Sequence, residues 1–429
     1  MKKILLLCLL VSGLACNKSG EDGRTRLVFW HSFVPSTLPA LEELITDYQK
    51  ENPGVIIEAQ YVPTGDALIQ KLITSIQSKT APDMSWIHSD FLDKLVEAKA
   101  IYPVSYFRNG ENKLTDEELK DIFPPLLEAA KWKDTLYALP MEGTVLSLLY
   151  NKDAFRKAGL NPDHPPADWN ELYQYATKLT FDKNKDGKTD QYGFYIPVFP
   201  ASGQLSIWMV LQWSPFLWQA GGREINDNQD KVTFNENAGV QALNLWRDIY
   251  SQLGLKNFSL SHDMGFLSQS VAMVMDGPWN LPLYRKIKDF DWAVAPLPKG
   301  PAKSATYFAG EHVAIFRQSK NPQEAWKFLK YIIRPDVQAK FSMNSGYLPV
   351  RQAALELKQY QEFLQKDAPM RSFVDQISMG QARAKIDHYR VEINQSIAAS
   401  VEKTILGNGD AKKNLDEAAK ISNNYLSRK

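Results

Sequence analysis

Cysteine is almost absent. The 429 residues hold two, and one of these lies in an apolar amino-terminal run, so a disulfide scaffold and a paired-cysteine metal site are both excluded. The six histidines are scattered, and the chain contains no H-E-x-x-H, no G-x-S-x-G elbow and no Walker loop. Neither sign of charge is in excess: 50 lysines and arginines face 49 aspartates and glutamates. Nucleic acid and an anionic membrane surface therefore have no electrostatic claim as partners. Beyond the amino terminus no apolar run approaches a bilayer span, and internal repeats and low-complexity linkers are missing as well. What remains is an ordinary globular composition, 44% hydrophobic and 23% charged, in a chain long enough for two or three units with cores of their own. Acidic residues are plentiful, so a glycosidase-type carboxylate pair stays open, although nothing singles out two of them.

The chain begins "MKKILLLCLLVSGLA". Two lysines, a continuous apolar stretch over residues 4–11 and small residues thereafter read as an export signal over 1–15. Cys16 follows directly, with a polar tether over 16–25. Two readings stand. In one, Cys16 is the acylated first residue of a lipoprotein, which Ala15 fits and Gly13, where leucine is usual, does not. In the other, cleavage falls near Ala15 and leaves a free thiol. The first places the protein outside the cell membrane on a lipid anchor.

Downstream, short apolar segments alternate with amphipathic ones. "RLVFW" (26–30) reads as a strand, and Leu41, Leu44, Ile45 and Tyr48 share one face of the helix after it. "VIIEAQY" and "PDMSWI" repeat the pattern, each followed by a helix. This alternation predicts a parallel sheet covered on both faces, with its binding crevice beyond the carboxyl ends of the strands. Trp30 ends the first strand, so His31 and Ser32 lie on that rim, and Asp66 opens the second helix; Trp30, His31 and Asp66 are taken as site candidates. From 136 to 155 the chain is extended, small and apolar, as expected of a crossing between lobes. A second α/β region follows, so the organisation predicted is two lobes and a hinge.

The candidate site residues pair aromatic rings with polar groups at element ends, a combination suited to a sugar, whose apolar ring face carries a rim of hydroxyls. In "VAMVMDGPWN" Asp276 and Trp279 leave a buried strand, with Gly277 loosening the exit and Pro278 fixing the turn. The competing reading makes Trp279 core and Asp276 a turn acid. "IWMVLQWSPFLWQAGG" carries tryptophans at 208, 213 and 218 that cannot share a helical face. Pro215 is expected to break that helix, and Trp213 and Trp218 are the site candidates. "DKNKDGKTDQYG" (182–193) supplies Asp182, Asn184, Asp186 and Asp190 at calcium-loop spacing, but Gly193 stands where a bidentate glutamate belongs. The alternatives there are a structural calcium site and a solvated turn.

An ordered set of segments carries a resemblance. "RLVFWHSF", "YQKENPGV", "APDMSWIHSDFLDKL", "LSLLYNKDAFRKAGL", "DGKTDQYGF", "QAGG", "VAMVMDGPW", "EAWKFLKYI" and "GYLPVR" run in this order from 26 to 351. Together they resemble the family 1 extracellular solute-binding proteins of ABC importers, which include maltose-binding protein. The resemblance implies a periplasmic-binding-protein-like type II fold. Lobe one is then near 26–140 plus 292–335, and lobe two near 145–290 plus 340–429. It also implies a monomeric, non-enzymatic receptor without a cofactor, which hands a small sugar to permease subunits. On this basis Trp279 is a stacking platform and Asp276 its hydroxyl acceptor. Asp90, Glu142, Glu311 and Tyr347 fall on segments that enter the cleft. "FWHS", "GYLP" and "HYRV" are also similar to the glycerol-3-phosphate-binding branch, in which Arg390 would hold the phosphate. Carboxylates in the same segments argue for a neutral sugar instead.

Overall fold

A computed structural model describes residues 23–64, 66–107, 112–201, 205–386 and 388–428, the side chain of Asp66 excepted. The export signal, Cys16 and most of the tether lie outside the described residues. No helix among them is long and apolar enough to cross a membrane.

Two sheets nucleate two α/β lobes. The first has five strands, in the order Val55–Tyr61, Thr25–His31, Met84–Ile87, His312–Ile315, Leu139–Pro140. Its first three strands are parallel, as their alternation with helices predicts, while His312–Ile315 enters antiparallel between Met84–Ile87 and Leu139–Pro140. Helix Leu38–Glu51 buries Leu41, Leu44, Ile45 and Tyr48, the stripe its spacing predicts. The second sheet is antiparallel throughout, with Ser147–Asn151 between Trp292–Ala295 and Met273–Asp276.

A third small sheet joins the lobes. Thr306–Ala309 pairs antiparallel with Thr144–Val145 and parallel with Gly380–Gln381, and Gly143 bridges Leu348. The chain therefore passes between lobes near 140–146, 305–311 and 346–350. Two expected boundaries move. Trp292–Ala295 belongs to the sheet of lobe two, so the return to lobe one comes after it. Helix Pro335–Ser345 belongs to lobe one: Lys340 pairs with Glu43 and Asp47 of the first helix, and Gln338 donates to the carbonyl of Met141. Pro335 opens this helix at its first turn.

Pro215 does not break its helix. Ser206–Gln219 is continuous around it, because the helix is buried on almost every side and tertiary packing outweighs the lost backbone bond.

Candidate functional site

The carboxyl ends of strands from both lobes face each other across a cleft holding a cavity of about 220 Å³. Lobe one supplies Ser32 just past Thr25–His31, Trp86 and His88 from the end of Met84–Ile87, and Glu311 from the turn into His312–Ile315. Lobe two supplies Trp208 from helix Ser206–Gln219, His262 from the start of His262–Leu267, and Trp279 from the turn after Met273–Asp276. The crossings add Thr144, Tyr307 and Tyr347.

The aromatic wall is ordered by ring contacts. Trp208 meets Trp279 edge-on at 5.3 Å and 72°, and Trp279 lies 6.3 Å from Tyr347. Gly277 has an extended backbone at φ −104° that any residue adopts. Its role is spatial: a β-carbon there would stand 1.9 Å from the Trp279 ring, so the indole folds back over a residue with no side chain. The Ser36 hydroxyl donates to the Trp279 carbonyl at 3.3 Å and joins the two lips.

The polar wall consists of two histidine–carboxylate pairs, one per lobe. In lobe one His88 Nδ1 lies 3.0 Å from Glu311 Oε1, and Nε2 lies 2.8 Å from the Thr64 hydroxyl. Burial pulls the imidazole down, but the hydrogen bond and charge of Glu311 outweigh it and raise His88 above its ordinary value. In lobe two His262 Nε2 lies 3.2 Å from Asp276 Oδ1. That is ion-pair range, although the approach is off a hydrogen-bond angle. Burial again lowers and the carboxylate again raises, with a net upward shift.

The expected site residues with described side chains divide into four groups. Trp279, Glu311 and Tyr347 line the cavity. Glu142 and Asp276 stand behind it, wholly buried. Glu142 reaches the cleft through Glu311. Asp276 reaches it through His262, its oxygens already accepting from the Gly277 amide, Asn280 and Tyr284 at 2.8, 2.8 and 2.6 Å. Wholly buried, it presents no surface to the cavity, and its place in the site is that of a support.

Asp90 and Arg390 form the third group, in a charged seam on the other side of Tyr307. Four residues end up outside. Trp30 turns to the outer face, its indole donating to Gln60 at 3.0 Å under the Lys71 ammonium at 4.3 Å. His31 is core, between Phe29, Phe33 and Tyr61, where burial holds it down at about 4. Trp213 and Trp218 are buried in lobe two, and it is Trp208 that faces the cleft. Asp66 opens helix Asp66–Gln77, but its side chain lies outside the described residues.

The Asp-rich loop folds on itself. Asp182 accepts from the amides of Lys185 and Gly187, Asp186 from that of Lys188, Asp190 from that of Lys183, and Asn184 from that of Asp186. Among the described residues no three His, Cys, Asp or Glu side chains converge to hold a metal ion.

The chain matches the bacterial extracellular solute-binding protein family over residues 43–368. It belongs to that family. A binding protein of Brucella abortus (strain 2308) is 29% identical over 360 residues, 82% of each chain. The sn-glycerol-3-phosphate-binding periplasmic protein UgpB of Escherichia coli (strain K12) is 26% identical over 356 residues, 80% of this chain and 78% of that one. Among solved structures, an ABC transporter solute-binding protein of Thermotoga lettingae bound with alpha-D-tagatose superimposes with a TM-score of 0.80. It is 26% identical, and the match covers 94% of this chain and all of that one. The type II arrangement of two hinged α/β lobes is thus shared with known members of the family.

Proposed function

We propose that this solute-binding protein is the receptor of an ABC importer, and that it takes a neutral sugar or short oligosaccharide between its lobes. One observation carries the reading: indole and phenol rings from both lobes wall the cleft, and among the described residues no lysine or arginine lines it. Rings cover the apolar face of a pyranose, and His88, Glu311, Ser32, Thr64 and Thr144 offer donors and acceptors for its hydroxyls. Because the two walls belong to different lobes, closure is stabilised by contacts that exist only with solute between them. The closed form is then what a permease receives.

A second reading, glycerol 3-phosphate, is favoured by the likeness to UgpB. Against it, Arg390 is already bonded to Glu224 and the carbonyl of Ala384, and Glu311 would repel a phosphate. Calorimetry separates the two: neutral sugars bind and glycerol 3-phosphate does not. The reverse result overturns the sugar reading. Mass spectrometry of solute released on denaturation would show it intact, whereas shortened glycan would mark an enzyme. Anchoring through an acylated Cys16 predicts that Cys16→Ser moves the protein from the membrane to the soluble fraction.

A further inference from the structure

Two of the crossings touch beneath the cleft. The Met141 amide donates to the Glu311 carbonyl at 2.9 Å, and the Glu311 amide donates to Glu142 Oε2 at 2.9 Å. A β-carbon on Gly310 would sit 1.8 Å from the Glu142 carbonyl, so only glycine allows so close an approach. At this contact the two carboxyl groups are neighbours, Glu142 wholly buried and Glu311 at the cleft wall. Carboxylates so placed cannot both be ionised without strong repulsion.

Their surroundings differ. Glu311 faces His88 at 3.0 Å. Glu142 is wholly buried and among the described residues meets no cation: its other oxygen accepts from the Trp86 indole N–H, at 3.4 Å. The remaining titratable neighbours are Tyr347, which faces both acids, Tyr307, which faces Glu311 and Asp90, and His312, whose ring nitrogen is 2.7 Å from the Leu126 carbonyl. None of these places a positive charge beside Glu142, because burial lowers His312 and the tyrosines are raised well above their ordinary value.

We propose that Glu142 is a neutral carboxylic acid in the folded protein, that it donates its proton to the Glu311 carboxylate, and that this bridge ties the first crossing to the second while fixing Glu311 at the cleft wall. The proton stays with Glu142 and no bond other than this hydrogen bond changes. Burial raises Glu142 well above the ordinary carboxylate range, and the charge of Glu311 raises it further; the His88 contact holds Glu311 below that range against its own burial. The ligand-facing role of Glu311 rests on the sugar-receptor reading, but the protonation does not.

The test uses the whole chain without ligand. Infrared difference spectra at neutral pH, wild type minus E142Q, are expected to show the carbonyl stretch of one protonated carboxylic acid that the variant lacks. A wild type without that band overturns the proposal. The sign of the pH effect follows: the native state holds a proton that the unfolded chain releases above its ordinary value of about 4.5, so this contribution to stability falls as pH rises. The melting temperature of wild type is expected to drop relative to E142Q between mildly acidic and mildly alkaline pH. Parallel curves overturn the proposal. If E142Q does not fold, E311Q replaces it: the acid band persists but shifts, having lost a charged acceptor, and an unshifted band overturns the bridge. A sugar panel that gives no binding would refute the receptor reading and leave these results standing.

Discussion

Two chambers span the lobes on either side of Tyr307, and they are built oppositely. The cleft, about 220 Å³, is walled by rings, and its ionisable groups are histidine–carboxylate pairs. Its neighbour, about 310 Å³, is bounded by a buried ionic network. There Arg383 donates to Glu224 at 2.7 and 3.0 Å, to Asn394 at 2.6 Å and to Asp90 at 3.2 Å. Arg390 donates to Glu224 at 2.7 Å, and Asn394 to Asp90 at 3.0 Å. Asp90 belongs to lobe one and the rest to lobe two. Two further pairs, Lys94 with Glu392 and Glu97 with His388, extend the seam. The difference separates two tasks. A network whose cations are matched by carboxylates from both lobes fixes their relative placement. A ring-walled space with unsaturated edges is left for a solute.

The comparison breaks most severely at Glu224. Glu224→Ala leaves two buried guanidinium groups with one acid between them, and a loss of about 3–5 kcal/mol is expected in urea unfolding. Burial pushes Glu224 up, but Arg383 and Arg390 outweigh it and hold it at about 2. Its contribution is therefore complete above the ordinary value of about 4.5 and is lost as pH falls toward 2. Glu224→Gln is expected to remove that acid-sensitive limb from the stability curve. Asp90→Ala comes next, removing the member that lobe one contributes. Without ligand, the variant is expected to show a larger radius of gyration by X-ray scattering and to lose about 1–3 kcal/mol.

On the cleft side the effects move from stability to affinity. Trp279→Ala is expected to weaken sugar binding about tenfold or more, ~1.4 kcal/mol by calorimetry, while melting changes little. Ser36→Ala, which cuts the hydrogen bond across the lips, is expected to cost no more than ~1 kcal/mol and to act on the closed form alone. If Trp279→Ala proved as destabilising as Glu224→Ala, the division of labour between the chambers would fail.

The fold was legible where periodicity is a local property. The strand–helix alternation of lobe one and the core stripe of Leu38–Glu51 follow from residue spacing, and the extended 140–146 crossing from the absence of helical pattern. The lobe boundaries were not, because the partners of Trp292–Ala295 and Pro335–Ser345 are distant in sequence. At the site, the Gly-Pro turn at the end of an apolar strand marked Trp279 as a candidate but left it open between core and cleft, and only the family resemblance pointed to the cleft wall where the ring lies. Trp208 was not legible: its helix is buried on almost every side, its polar residues Ser206, Gln212, Ser214 and Gln219 included, so no solvent-facing stripe marked which indole faces the cleft. Asp276 shows a limit of another kind. An acid at a strand end reads alike whether it meets a ligand or a tyrosine, and only Tyr284 and Asn280, brought back by the next turn, decide between them. His88 lies within a quoted motif and His262 lies in none. Both became recognisable only beside their carboxylates.

The order of strands in lobe one bears on how the chain is made. His312–Ile315 sits between Met84–Ile87 and Leu139–Pro140, so a nascent chain that has emerged only through lobe two still has a gap in its first sheet. Leu139–Pro140 pairs in this sheet only once His312 and Val313 are available. Completion of the amino-terminal half thus waits on sequence synthesised long after it, and the pairing that closes it is among the most non-local in the molecule, the kind that forms slowly.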